Sequence, residues 1–374
     1  VPGKLVLVGG GHAHVLVLRA LASRPAPGVQ TTVVVDRPDA VYSGMVPGFV
    51  AGRYAAGELT IDVAALAQRA DAAVVVSPAT RIDPVVRRIE LADAPPLAYD
   101  VAALDVGSTA SGLGLPGVAG HTLATRPIGR FVEAVDALLA RARRRGRCQL
   151  AVVGAGAGGV ELACAFRARL AREGVADAAV TLIEAGPRVL PGAAERVARR
   201  AAAALAARGV ALRTGARVAG VEASGDEKRL LLEGGRDDLA CDEVVWVSGA
   251  APPALIADSP LPHDAAGFVR VRATLAVEGH DDLFAAGDCA AFAPPLPKAG
   301  VYAVRQGPVL AHNLRAALAG GALRRYRPQR DFLTLLDLGD GTAIGGKWGL
   351  AFEGRAVLAL KRHIDRGFVA RFRP

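Results

Sequence analysis

Two glycine-rich turns, each set between an apolar run and a helical pattern, are the parts of this 374-residue chain best suited to chemistry. The first is Gly9-Gly10-Gly11-His12-Ala13-His14 after Leu5-Val6-Leu7-Val8, and the second is Gly154-Ala155-Gly156-Ala157-Gly158-Gly159 after the apolar run from Leu150 to Val153. Such a turn brings free backbone N–H groups and the positive end of a helix to a phosphate pair. Gly9 suits the tight bend and Gly11 the close approach of backbone to a pyrophosphate, while His14 stands in the third glycine place. In the second turn all three places are glycine, at Gly154, Gly156 and Gly159. Glycine-rich loops also occur simply to pack a helix on a strand; the acids that follow favour the nucleotide reading. The strand from Thr31 to Val35 ends in Asp36 and that from Ala179 to Ile183 in Glu184, each 25 residues past the last glycine place filled in its turn. A carboxylate there takes the ribose hydroxyls and repels a 2′-phosphate, so Glu184 favours NAD over NADP, with Arg188 placed to soften that preference. Two nucleotide sites on one chain point to electron transfer.

The elements around the turns repeat. The first unit continues with a buried strand at Ala73 to Val76, hairpin strands from Val85 to Leu91 and a strand from Tyr99 to Val106 ending in Gly107-Ser108. The second continues with Val210 to Arg213, hairpin strands between Val218 and Leu232, and Glu243 to Val247 ending in Ser248-Gly249. The chain is thus α/β, two doubly wound sheets with β-meander crossovers and an internal duplication of plan. A further short strand, Asp282 to Ala286, runs into Gly287-Asp288.

Composition bounds the alternatives. Hydrophobic residues make up 52% and charged residues 22% of the chain, which describes packed domains rather than disorder. The net charge is +9, yet all but five of the 45 basic residues are arginine, and such enrichment reflects codon bias better than a nucleic-acid surface. The cluster from Arg141 to Arg147 reads as a solvated last helical turn whose cations offset the dipole. Cys148, Cys164, Cys241 and Cys289 show neither redox-pair nor zinc spacing and read as buried thiols, so no metal is expected. With no charged leader before the first strand and no apolar run near the ~20 residues of a membrane span, the expected location is cytoplasmic.

Taken together, the two turns, the strand ends Asp105-Val106-Gly107-Ser108 and Trp246-Val247-Ser248-Gly249, and Leu283-Phe284-Ala285-Ala286-Gly287-Asp288 resemble the two-dinucleotide-domain flavoproteins of the pyridine nucleotide-disulfide oxidoreductase superfamily. The resemblance covers almost the whole chain. It implies two Rossmann-like FAD/NAD(P)-binding domains, the second inserted in the first: residues 1–118 and 270–325 for FAD, 119–269 for NAD(H), and a small appendage at 326–374. FAD would lie on Gly9, Gly11, His12, Asp36, Arg37, Gly107 and Ser108, closed by Gly287 and by Asp288 on the ribityl chain. NADH would lie on Gly154, Gly156, Gly159, Glu161, Glu184 and Gly249. Tyr42-Ser43-Gly44-Met45-Val46-Pro47-Gly48 resembles the proline loop beside the flavin in type II NADH:quinone and sulfide:quinone oxidoreductases, which puts Pro47 at the cofactor. Together with Pro297-Lys298-Ala299-Gly300, the pattern resembles still more closely the flavoprotein modules fused to selenide, water dikinase, whose kinase part these 374 residues do not match.

The resemblance implies an FAD-dependent NADH oxidoreductase in which hydride passes from NADH to flavin and on to a small acceptor. Hydride transfer needs no protein base, so the protein's part is orientation and charge stabilisation. Two residues carry catalytic expectations. Glu161 would position the nicotinamide carboxamide, or else merely complement the helix dipole. Lys298, ahead of a helix from about Gly300 to Ala319, would stabilise negative charge on the flavin pyrimidine, or else be solvated. A quinone is the first acceptor class, although Val301 and Arg305 stand where quinone-reducing relatives carry glutamines, with Gln306 and Gly307 retained. A sulfur or selenium donor is the alternative, and so is a low-turnover flavoprotein that senses NAD. His12 would meet the pyrophosphate or the flavin edge, and His14 would fill the contact vacated by the missing glycine.

The last fifty residues read as a hairpin, Phe332 to Leu338 with Thr342 to Ile344, and an amphipathic helix from Gly354 to Phe368. Val357, Leu360, Ile364 and Phe368 share one face, with Arg355, Arg362 and Arg366 opposite. That stripe can lie on an anionic membrane through residues 350–374, or be buried on the body or in a homodimer.

Overall fold

The computed structural model describes residues 3–235 and 237–373, so the outermost ends of the expected first and last domains lie outside it. Five parallel strands form the first sheet, in the spatial order Leu283–Ala285, Val101–Leu104, Gly3–Val8, Val29–Val35, Ala72–Val76. The second sheet repeats the plan with Leu123–Ala124, Glu243–Trp246, Arg147–Val153, Asp177–Ile183 and Val210–Arg213, again all parallel. Strands buried on both faces must be continuously apolar, which is why Leu5-Val6-Leu7-Val8 and Leu150 to Val153 show no alternation. Because Leu283–Ala285 returns to pair with Val101–Leu104, the second Rossmann-like unit is an insertion in the first.

Each first strand leads through its glycine turn into a helix, His12–Ser23 in one unit and Ala157–Arg172 in the other. Gly9 and Gly154 turn the chain with φ of +98° and +104°, a conformation that a side chain would strain. The crossovers are three-stranded antiparallel meanders, Ala79–Asp83 with Arg88–Leu91 and Leu97–Ala98, and Val218–Ser224 with Glu227–Leu232 and Leu239–Cys241. Val85 was expected in a strand; it lies in the connecting turn and is exposed, because Asp83 caps that turn by accepting from the N–H groups of Val85 and Val86. The basic cluster also differs from a free helix end. Arg141 binds Glu243 and Arg145 pairs with Asp242, so the run clamps the helix Ile128–Arg145 to the start of the strand Glu243–Trp246, while Arg147, already in the next strand, also pairs with Asp242. All four cysteines are buried free thiols.

The appendage is a three-stranded antiparallel sheet, Thr334–Asp337, Ala343–Lys347 and Leu350–Gly354, followed by the helix Arg355–Ala370. The third strand escaped the sequence reading because Trp348-Gly349 makes a second turn with no apolar alternation beyond it. The helix is rotated from expectation. Its buried face holds Val357, Leu358, Lys361, Asp365, Phe368 and Val369, while Leu360 and Ile364 are 43% and 44% exposed. A charged pair inward and two aliphatic residues outward is the opposite of what hydrophobicity alone dictates.

Candidate functional site

Both glycine turns open on one cavity of about 1080 Å³ that runs between the two units. It is bordered by Gly9, Gly11, His12, Asp36, Arg37 and Pro47, by Gly107, Ser108, Gly287, Asp288 and Lys298, and by Gly154, Gly156, Glu161, Glu184 and Gly249. Gly159 lies behind it, where a Cβ would collide with the carbonyl of Gly154. At the matching place in the first turn, His14 is fully buried and its Nδ1 lies 2.6 Å from the carbonyl oxygen of Gly9. The imidazole thus fills the gap between turn and helix.

The glycines of the two turns do different work. A Cβ on Gly156 would meet nothing within 4 Å, so the second turn is open to a close-lying phosphate. A Cβ on Gly11 would collide with the carboxyl of Asp105, so its missing side chain makes room for that acid. From sequence alone Gly11 is expected only to let the backbone approach a pyrophosphate.

Beyond the first turn, Asp288 accepts from Arg126 Nη1 at 2.6 Å and from Ser108 Oγ at 3.2 Å. Arg126 comes from the second unit, between the strand Leu123–Ala124 and the helix Ile128–Arg145, and has no counterpart among the residues expected from sequence, since a lone Arg-Pro dipeptide carries no signal. Arg37 binds Asp39 at 2.7 Å and Glu133 at 2.8 Å, crossing Gly129 and tying the first unit to the helix Ile128–Arg145. Lys298 lies 3.7 Å from the centroid of the Phe268 ring and donates to the carbonyl of Ala290 at 2.7 Å. Burial lowers its pKa, against the pull of Cys289 and Asp288. The helix Gly300–Ala319 begins two residues later, as the sequence suggested. Gln306 accepts from the N–H of Gly287 at 2.7 Å, and Gly307 lets this helix lie against Leu16 of the first, so these two retained residues serve the architecture.

On the second unit, the Glu184 carboxylate accepts from Ala155 N and from Gly186 N, both at 2.8 Å, which fixes it at the rim of the glycine turn. Glu161, 9% exposed, is neither a free carboxylate at a helix end nor a simple cap. Its Oε1 accepts from the N–H of Asp337 at 2.8 Å and lies 3.7 Å from Lys361 Nζ. Lys361 also donates to the carbonyl of Gly44 at 2.9 Å and pairs with Asp365 at 3.3 Å, and Asp365 accepts from the hydroxyl of Tyr42 at 3.2 Å. Burial pushes Glu161 up to about 7, although Lys361 pulls the other way. Burial opposes the charge on Lys361, and the carboxylates of Glu161 and Asp365 nonetheless hold its pKa above the ordinary lysine range. The C-terminal helix is thereby bolted at once to the helix Ala157–Arg172 and to the Tyr42 loop, where Phe368 stacks on Tyr42 at 4.6 Å and His12 meets Tyr42 edge-on at 5.4 Å. Burial lowers His12 to about 4, so its imidazole is neutral. Lys361 and Asp365 were missed because a lysine and an aspartate four apart on a basic helix read as solvated.

Two parallel-sheet units whose glycine turns face a shared cavity define the class of two-dinucleotide oxidoreductases. The sequence profile of the pyridine nucleotide-disulphide oxidoreductases matches residues 3–313, and the chain belongs to that family. It is 24% identical to the type II NADH:quinone oxidoreductase of Staphylococcus saprophyticus over 382 residues, covering 97% of this chain and 94% of that protein. It is 30% identical to demethylphylloquinone reductase NdbB of Synechocystis over 273 residues, 71% of this chain and 65% of that one. Among solved structures, the sulfide:quinone oxidoreductase of Aquifex aeolicus matches with a TM-score of 0.83 at 16% identity, over 99% of this chain and 91% of that one. NDH2 from Plasmodium falciparum with NADH matches with a TM-score of 0.82 at 12% identity, over 100% and 98%. These last two likenesses establish the fold.

Proposed function

We propose that the chain is an FAD-dependent oxidoreductase that takes hydride from NADH and reduces a quinone-like acceptor. The observation that carries this reading is the single cavity onto which both glycine turns open, together with relatives that act on NADH and quinones. The proposal keeps the division expected from the sequence: residues 1–118 with 270–325 for FAD, 119–269 for NAD(H), and 326–374 as an appendage. In this reading FAD occupies the first turn with Asp36 on its adenosine ribose, and NADH the second with Glu184 on its ribose. Bound there, FAD supplies a two-electron carrier between the nicotinamide and the acceptor. The chain's own residues orient and neutralise: Lys298 and the N-terminus of Gly300–Ala319 offer positive charge to one end of the cavity, and Glu161 presents a carboxyl beside the second turn. Lys361 holds that carboxyl in place.

Stopped-flow mixing of the holoprotein with NADH checks the reading: rapid bleaching of flavin absorbance is expected, faster with NADH than with NADPH, followed by reoxidation by a short-chain quinone. Flavin that stays oxidised would instead mark a low-turnover sensor. Sulfide as donor finds little support, because burial pushes all four thiols up to about 12.

A second part of the proposal concerns the membrane surface. No described helix is long and apolar enough to cross a bilayer. The appendage nevertheless exposes Trp348, Leu350, Phe352, Leu360 and Ile364, and Arg355, Arg362 and Arg366 accompany the last two on the C-terminal helix. Aliphatic and indole groups set among arginines suit the interface of an anionic bilayer. Flotation with phosphatidylglycerol vesicles should recover the wild type, and Trp348→Ser with Leu360→Ser and Ile364→Ser should leave most of it at the bottom. Equal partitioning of both, with a dimer in sedimentation that the triple variant loses, would assign the patch to a second copy instead.

A further inference from the structure

Asp105 stands where the first glycine turn, the Gly287-Asp288 turn and the helix Gly300–Ala319 converge. Its backbone is fixed on both sides, with its N–H donating to Val8 at 2.9 Å and its carbonyl accepting from Gly11 N at 3.2 Å. Its Oδ2 accepts from the N–H groups of Ala13 at 2.7 Å and His14 at 3.0 Å. The helix His12–Ser23 has no cap of its own, because Gly11 lacks a side chain, so Asp105 supplies the capping oxygen from the neighbouring strand. Two of the glycines expected at FAD yield space to it: a Cβ on Gly11 would collide with the carboxyl, and one on Gly287 would stand 2.5 Å from Oδ1.

This acid is 3% exposed and borders the cavity. Among the described residues no salt bridge reaches it, and Arg126 pairs with Asp288 instead. The groups facing it offer little compensation. His12 and His14 are neutral, each held down to about 4 by burial, and the Cys289 thiol is pushed up to about 12 by burial. Asp288 adds negative charge, and Lys298 acts on the Cys289 thiol. Burial accordingly lifts Asp105 to about 7, against its two N–H bonds and with Asp288 assisting.

A diphosphate arriving at the same helix end brings two more negative charges onto N–H groups that a carboxylate already uses. Like charges in a buried site cannot both persist, whereas a carboxylic acid still accepts through its carbonyl oxygen and gains an O–H to donate. We propose that Asp105 makes FAD binding proton-linked: FAD settles on the first turn with the Asp105 carboxyl protonated, taking one proton from solvent when the acid was ionised and returning it when FAD leaves. The proposal rests on the reading that FAD occupies the first turn.

Free flavin, measured by its fluorescence after dilution of the holoprotein into buffers from acid to alkaline pH, tests the link. The dissociation constant should be flat below the pKa of the free chain and then rise up to tenfold per pH unit, about a hundredfold by two units above it. Asp105→Asn keeps the shape and the acceptor oxygen without the charge, and should flatten the profile. A flat wild-type profile, or an equal slope in Asp105→Asn, overturns the proposal. Calorimetry on the wild type alone provides an independent readout: FAD added back one unit above that pKa, in two buffers of different ionisation enthalpy, should take up close to one proton, and no uptake overturns it. Asp36→Ala should raise the dissociation constant at every pH with the slope intact. An unchanged constant there would put FAD elsewhere and remove the reading beneath the proposal, whatever the slope.

Discussion

Lys361→Met is expected to cost about 3–5 kcal/mol of unfolding free energy, because removing one member of a buried ion cluster strands the others. Lys361 is 8% exposed and is the cation shared by Glu161 and Asp365, while also donating to Gly44. Methionine replaces the stem and leaves two carboxyls without a counter-ion. The cost has a definite pH sign. Glu161 has a folded pKa raised to about 7, so the fold holds its proton more tightly than the unfolded chain does, and ionising it as pH rises weakens the fold. Loss of Lys361 removes the attraction that limits this rise. The penalty is therefore largest above neutrality and shrinks as the pH falls toward the ordinary carboxylate range. Urea unfolding of both proteins at a mildly acid and a mildly alkaline pH checks it; a penalty equal at both would mean that Lys361 matters for packing alone. Lys361→Met with Asp365→Leu should recover part of the loss, since an apolar pair needs no compensation.

Glu184→Arg is expected to reverse the choice of nicotinamide cofactor. In the proposed reading a ribose hydroxyl donates a charge-assisted hydrogen bond to this carboxylate, an interaction of about 1.5–3 kcal/mol, so kcat/KM for NADH should fall about 10- to 100-fold while that for NADPH rises. The carboxylate also holds the N–H groups of Ala155 and Gly186, so the turn itself loses two acceptors. Glu184→Gln separates the two effects. It keeps an acceptor for the turn and drops the repulsion of a 2′-phosphate, so NADPH should gain, while NADH loses only the charge-assisted part of its hydrogen bond and falls less than in Glu184→Arg. Steady-state kinetics with both cofactors decide the matter, and an unchanged ratio in Glu184→Arg would mean that the ribose lies elsewhere.

Much of the architecture was legible because it is written in local patterns. Leu5 to Val8 and Leu150 to Val153 are apolar without alternation, as strands buried on both faces must be, and a glycine turn followed by helical spacing leaves few alternatives. The insertion of the second unit in the first, seen in the return of Leu283–Ala285 to the first sheet, was expected only from the family resemblance of the segment Leu283 to Asp288. The helix Gly300–Ala319 and the packing of His14 were anticipated in the same way. The appendage was less legible. Its helix shows an apolar stripe through Leu360 and Ile364, yet tertiary packing turned Lys361 and Asp365 inward, where carboxylates and a carbonyl from distant segments satisfy them.

The sequence by itself determined the two glycine turns between strand and helix and the acids that follow them, since each depends on residues within about one βαβ unit of one another. Only the tertiary structure decided what the polar groups of the cavity do. Asp105 lies 94 positions from Gly11 and Lys361 200 from Glu161, and neither pair announces itself along the chain. A buried charge takes its meaning from the groups that replace its lost water, and those are brought together only when the chain has folded.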